Sequence, residues 1–198
     1  MQKKQDPGLL IAIVILVIVA FIAIFVTVNH KEESKQPSSN TNETTENKKA
    51  ETPKEPETIE FAGYRYSIPA NMTGSVSGDK LFIYGPKSKW VGVVLTQAGS
   101  YDTLVSVKDQ IKTALAAQEG AENYDISNAV TEEKVYGGKP FLVTRNIGSD
   151  KYKLDISYGK ADDNNIYVIS VTENYGKELT EEERTEIYGI IAAAEKIS

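Results

Sequence analysis

"YKLDISYGKADDNNIYVISVTE", residues 152–173, decides how the folded part of this chain is built. In its first half Tyr152, Leu154, Ile156 and Tyr158 alternate with Lys153, Asp155 and Ser157, the two-residue period of a strand. The run Lys160-Ala161-Asp162-Asp163-Asn164-Asn165 has turn chemistry, and "IYVISVTE" opens a second strand of β-branched and aromatic residues. Two strands joined by so short a turn imply antiparallel pairing. On this reading Arg145 and Lys153 face solvent beside Asp155 and form cross-strand charge pairs.

Working outward, Thr180 and Glu183 have the spacing of a capping box, followed by a helix that buries Ile187, Ile190, Ile191 and Ala194. The run Glu181-Glu182-Glu183 fits the first turn, where the helix dipole favours negative charge. Upstream, "NAVTEEKVY" and "PFLVTRNIG" read as strands joined through Gly137-Gly138, a hairpin turn rather than a phosphate loop. From Asp102 to Gln118 the period changes: Leu104, Val107, Ile111, Ala114 and Leu115 recur at helical spacing, with Gly120 placed to end the helix. "TIEFAGYRYSIP" reads as two strands meeting near Ala62-Gly63, and "LFIYG" and "WVGVVLTQ" as two more. The predicted order is ββββ-α-ββββ-α over residues 58–198. That is an α+β domain: an antiparallel sheet with two main helices covering one or both faces.

The first 57 residues have a different composition. A short tail, 1–7, precedes an apolar run from Leu9 to Val28 in which Thr27 is the single polar residue. Twenty helical residues span about 30 Å, the thickness of a bilayer's hydrocarbon core. The run exceeds the apolar part of a cleaved signal and lacks an Ala-x-Ala exit, so 8–29 reads as a retained transmembrane anchor. Residues 30–57 carry no large apolar side chain and read as a disordered polar linker with a mean reach of roughly 30 Å. The short N-terminal end and the long linker favour a C-terminal domain outside the cytoplasm.

The layout from Thr58 to Ser198 opens with Tyr64-Arg65-Tyr66-Ser67-Ile68-Pro69 and closes with "YVISVTEN" and a terminal helix. In this it resembles the PsbP-like family, which includes an extrinsic subunit of photosystem II, a eukaryotic Ran-GTPase-binding protein and bacterial envelope proteins. The resemblance implies an accessory or binding role and brings no catalytic set with it. Where the family commonly has a tryptophan soon after the proline, this chain has Asn71 and Met72, and its one tryptophan is Trp90.

Composition excludes several chemistries. The chain has no cysteine, so thiol nucleophiles, disulfides and thiolate metal sites are out. Its one histidine, His30, lies between the apolar run and the linker, away from any Ser-His-Asp or histidine-metal site in the domain. A net charge of −6 without clustered cations gives no footprint for nucleic acid. Asp162-Asp163-Asn164-Asn165 lacks the alternating ligands and distal glutamate of a calcium loop and reads as a polar turn. Neither a cofactor nor a metal is expected. Tyr64, Tyr66, Tyr84, Tyr152, Tyr158 and Tyr167 fall in or beside predicted strands and form the candidate binding surface, with half-buried β-packing as the plainer reading.

The expectation is a single-pass, membrane-tethered extracytoplasmic binding or accessory module, not an enzyme. Its partners would be the membrane and an envelope protein or a small-molecule or lipid-linked ligand. The alternatives are a structural subunit of a membrane or envelope complex and a carboxylate-based hydrolase.

Overall fold

The hairpin expected from the alternation forms over residues 153–173. In the computed structural model, β8 (Lys153–Lys160) pairs antiparallel with β9 (Asn165–Glu173), placing Leu154 opposite Thr172 and Tyr158 opposite Val168. The structure describes residues 55–117, 121–148, 153–173 and 177–197. The expected tail, the anchor and all but the end of the linker lie outside them. Among the described residues no helix is long and apolar enough to cross a membrane.

Around this hairpin stand β3 (Thr73–Ser77), β4 (Lys80–Tyr84), β5 (Trp90–Ala98), β6 (Val130–Tyr136) and β7 (Lys139–Gly148). They make one seven-stranded antiparallel sheet in the order β3-β4-β5-β9-β8-β7-β6. A second sheet holds β1 (Glu57–Phe61), β2 (Tyr64–Ile68) and β10 (Glu195–Lys196), with β2 in the middle. The β6–β7 connection is the two-residue turn read from Gly137-Gly138, and both glycines take positive φ, as that tight hairpin demands.

Between β5 and β6 the chain passes through α1 (Tyr101–Ser106) and α2 (Lys108–Ala116). After β9 comes α3 (Glu181–Ala192), with the Thr180/Glu183 capping box formed in both directions.

The mixed α+β class is as expected, with four differences in detail. The helix predicted over Asp102–Gln118 is broken at Val107, whose φ of −116° leaves the helical region, giving two helices. Strand β3 was not legible because "TGSVS" is short and exposed, with no apolar alternation to signal it. Strand β10 is two exposed residues added to β2 after the last helix. Strand β1 also begins at Glu57, one residue inside the linker as read from sequence.

Two apolar cores lie on opposite faces of the large sheet. On one face Trp90, Val94, Phe141, Val143, Ile169 and Val171 pack with Ile187, Tyr188 and Ile191 of α3 and with the small sheet. On the other, Leu95, Leu142, Ile156, Tyr158 and Val168 pack with Leu104, Ile111 and Leu115 of α1 and α2. Each such side chain contributes about 1.5–3 kcal/mol on full burial, an upper figure because the unfolded chain is itself partly collapsed.

Covering both faces corrects the reading of β8. Asp155 and Ser157 do not face solvent: they lie under α3 at 3% and 0% exposure. The Asp155 carboxylate accepts from Arg184 Nε at 2.7 Å and Nη2 at 3.4 Å, and Ser157 Oγ is 2.6 Å from the Tyr188 hydroxyl. Burial pushes the Asp155 carboxyl above its usual range, opposed by Arg184. Neither Arg145 nor Lys153 forms an ion pair with Asp155; Arg145 pairs with Glu132 and, at 2.7 Å, with Glu181. The polar side of β8 is a latch for the last helix.

Candidate functional site

A recess opens where β7 loses its regular alternation. Its pairing with β8 shifts between Thr144 and Ile147, a bulge that puts Asn146 at φ 63°. A bulge inserts one residue, bends the strand and re-aims the side chain at that point. The loop after α2 is strapped to the end of β7 by two backbone hydrogen bonds, Asp125 N to Gly148 O and Gly148 N to Asp125 O. That loop is braced from behind: the Lys112 ammonium donates to the Ser127 carbonyl, and Asp125 Oδ1 accepts from Ser127 N at 2.9 Å and Ser127 Oγ at 2.5 Å. From the opposite layer, the approach to α3 brings in Glu178.

The result is an open cavity of about 380 Å³ lined by Asp125, Asn128, Asn146, Gly148, Lys153 and Glu178, of which Asp125, Asn128 and Glu178 are solvent-exposed. Lys153, first residue of β8, pairs across from Gly148, and a Cβ at position 148 would stand 2.7 Å from its Nζ. Glycine there lets the ammonium come down over the end of β7. Hydrogen bonds from the Ser127 hydroxyl and N–H hold the Asp125 carboxyl below its usual range, with Lys153 and Lys112 adding to the effect. Among the described residues, the side chains of Lys153, Glu178, Asn128 and Asn146 make no hydrogen bond or ion pair within the protein.

Chemically, the cavity offers one ammonium, two carboxylates and two carboxamides. The Ser127 hydroxyl is engaged by Asp125, and a carboxyl held ionised is matched to holding positive charge rather than to donating a proton. Among the described residues no group of three or more His, Cys, Asp or Glu side chains comes together as a metal set.

The tyrosines singled out from sequence go elsewhere. Tyr64, Tyr66 and Tyr167 are buried together in the core under the small sheet, where the Tyr64 and Tyr167 rings meet edge to face at 5.3 Å. Tyr158 is fully buried in the other core. Burial pushes the hydroxyls of Tyr66, Tyr158 and Tyr167 far above the usual phenol range. Tyr84 is half-buried and stacks on Phe82 at 6.4 Å, and Tyr152 lies outside the described residues. The strand propensity that made Tyr64, Tyr66, Tyr158 and Tyr167 visible also made them packing residues, buried in two separate cores.

Of the cavity's lining, only Lys153 drew notice in the sequence, and for a different role. One signal for the rest was present. Leu142 and Ile147 sit in the same core although five residues apart, an odd spacing that a regular strand does not allow. That slip marks the bulge that carries Asn146.

No family model matches the chain, and no curated protein matches its sequence.

Proposed function

We propose that this chain is a membrane-tethered extracytoplasmic binding or accessory module, with its ligand held in the cavity at the β7 bulge. The observation that carries the reading is the cavity itself. It gathers charged and amide side chains from both sides of the sheet, and among the described residues those of Lys153, Glu178, Asn128 and Asn146 are unpaired. Ligand sites are concave, with a few convergent polar groups on a fixed scaffold. The apolar run Leu9–Val28 supplies the single-pass anchor in this reading, and the polar residues after it supply the tether. The PsbP-like resemblance supports an accessory role.

The absence of cysteine makes the location straightforward to test. With Ser38 replaced by cysteine, intact cells (or spheroplasts, where an outer membrane intervenes) are treated with a membrane-impermeant maleimide. Labelling of a full-length, membrane-pelleting chain is expected. A full-length chain labelled only after lysis would place the domain in the cytosol and end this reading.

A second reading, a structural subunit of a membrane complex, draws on edge strand β6, where Val130 and Val135 stand 51% and 70% exposed. Apolar side chains on an open sheet edge favour pairing with another chain. A monomer after mild solubilisation would count against it.

A further inference from the structure

We infer that the cavity at the β7 bulge takes a small zwitterion, a molecule presenting an ammonium group and a carboxylate close together, as the free ends of a short peptide do. The inference rests on reading the cavity as the domain's binding site.

The signs of the lining charges decide the class. Among the described residues Lys153 is the cation in the lining, and Asp125 and Glu178 are the anions. A lone anion such as phosphate would meet one ammonium and two carboxylates, and like charges brought together in a recess are repelled. A lone cation would suit the carboxylates but stand against Lys153. A neutral sugar could use Asn128 and Asn146 while leaving three formal charges without a counterpart. A zwitterion answers both signs at once, its carboxylate to Lys153 and its ammonium to Asp125 and Glu178. Such charge-assisted hydrogen bonds are about twice as strong as neutral ones.

The supporting contacts fit the same ligand. Asp125 Oδ1 is taken by Ser127, and among the described residues Oδ2 has no partner, leaving an acceptor for an incoming ammonium. Asn128 and Asn146 each carry a donor and an acceptor, which is what a peptide group between the two charged ends requires.

The test uses the full chain in lipid nanodiscs and follows the side-chain amide NMR signals of Asn128 and Asn146. The probes are alanylalanine, its N-acetyl form and its C-terminal amide, with inorganic phosphate and sucrose as outsiders. The free dipeptide is expected to shift both signals at a concentration about tenfold or more below that needed for either blocked form. Lys153→Met should remove the preference for the free carboxylate, and Glu178→Gln should weaken the preference for the free amine. If the blocked forms bind as well as the parent dipeptide, or only phosphate or sucrose shifts the signals, the cavity is a binding site and the zwitterion assignment is wrong. Signals that ignore every probe would overturn the assignment and the reading of the cavity together.

Discussion

The two ends of β8 carry similar polar residues and use them in opposite ways. At the far end, in the turn to β9, Asp162 is saturated. Its Oδ1 accepts from Asn164 N and Asn165 N at 2.9 Å and from Asn165 Nδ2 at 3.0 Å, and its Oδ2 from the Tyr64 hydroxyl at 3.1 Å and Lys196 Nζ at 3.3 Å. One carboxylate closes the turn and ties it to the small sheet. At the near end, Lys153, Glu178, Asn128 and Asn146 surround a cavity without pairing to one another. Between the ends, Asp155 and Ser157 hold α3. Between these two ends, pairing rather than residue type makes the difference. A group whose hydrogen bonds are filled within the protein is committed to the fold, and one left open is available to a ligand.

The middle of the strand should give the largest effect. Asp155→Ala leaves the buried Arg184 with the more exposed Glu181 carboxylate at 3.5 Å in place of its 2.7 Å partner and is expected to cost about 3 kcal/mol in urea unfolding. The double replacement Asp155→Leu with Arg184→Met should recover most of that, because an apolar pair of similar volume avoids the desolvation penalty. A double variant as unstable as the single one would mean the latch is more than an ion pair.

Next in size, Tyr188→Phe removes the hydroxyl facing Ser157 and should cost about 1–3 kcal/mol, the penalty of a buried polar group left alone. Ser157→Ala together with Tyr188→Phe should be milder than Tyr188→Phe alone. Additive losses would show that these hydroxyls are not partners.

The saturated end predicts a pH dependence. Hydrogen bonds from Asn164 and Asn165, with Lys196 and Tyr64, hold the Asp162 carboxyl well below the usual range. A lowered carboxyl stabilises the fold above the pH at which it ionises in the unfolded chain, about 4, and that contribution is lost as pH falls further. Melting temperature should therefore drop more steeply below pH 4 in the parent than in Asp162→Ala, with the two curves converging in acid. Parallel curves would contradict the role given to this carboxylate.

Much of the fold was legible because the signals were local. The capping box at Thr180, the paired glycines at 137–138, the alternation along β8 and the β-branched and aromatic run of β9 are each local signals, and each forms the expected element. What stayed hidden depends on distant partners. Asp155 and Ser157 alternate like solvent-facing residues, and only α3 packed over that face makes them buried. The cavity draws Asp125 and Asn128 from the loop after α2, Asn146 and Lys153 from the sheet, and Glu178 from the approach to α3, so no single stretch of chain announces it. Tyrosine misled for a related reason, since half-burial and full burial have the same alternation in sequence.

The central claim is that the near end of β8 serves a ligand and the far end serves the fold. Thermal melts at pH 7 of the full-length parent, Lys153→Met, Glu178→Gln and Asp162→Ala test it directly. The account predicts that both cavity variants stay within about 0.5 kcal/mol of the parent while Asp162→Ala melts clearly lower. A cavity variant that loses as much stability as Asp162→Ala would contradict it, because its side chain would then be holding the structure together.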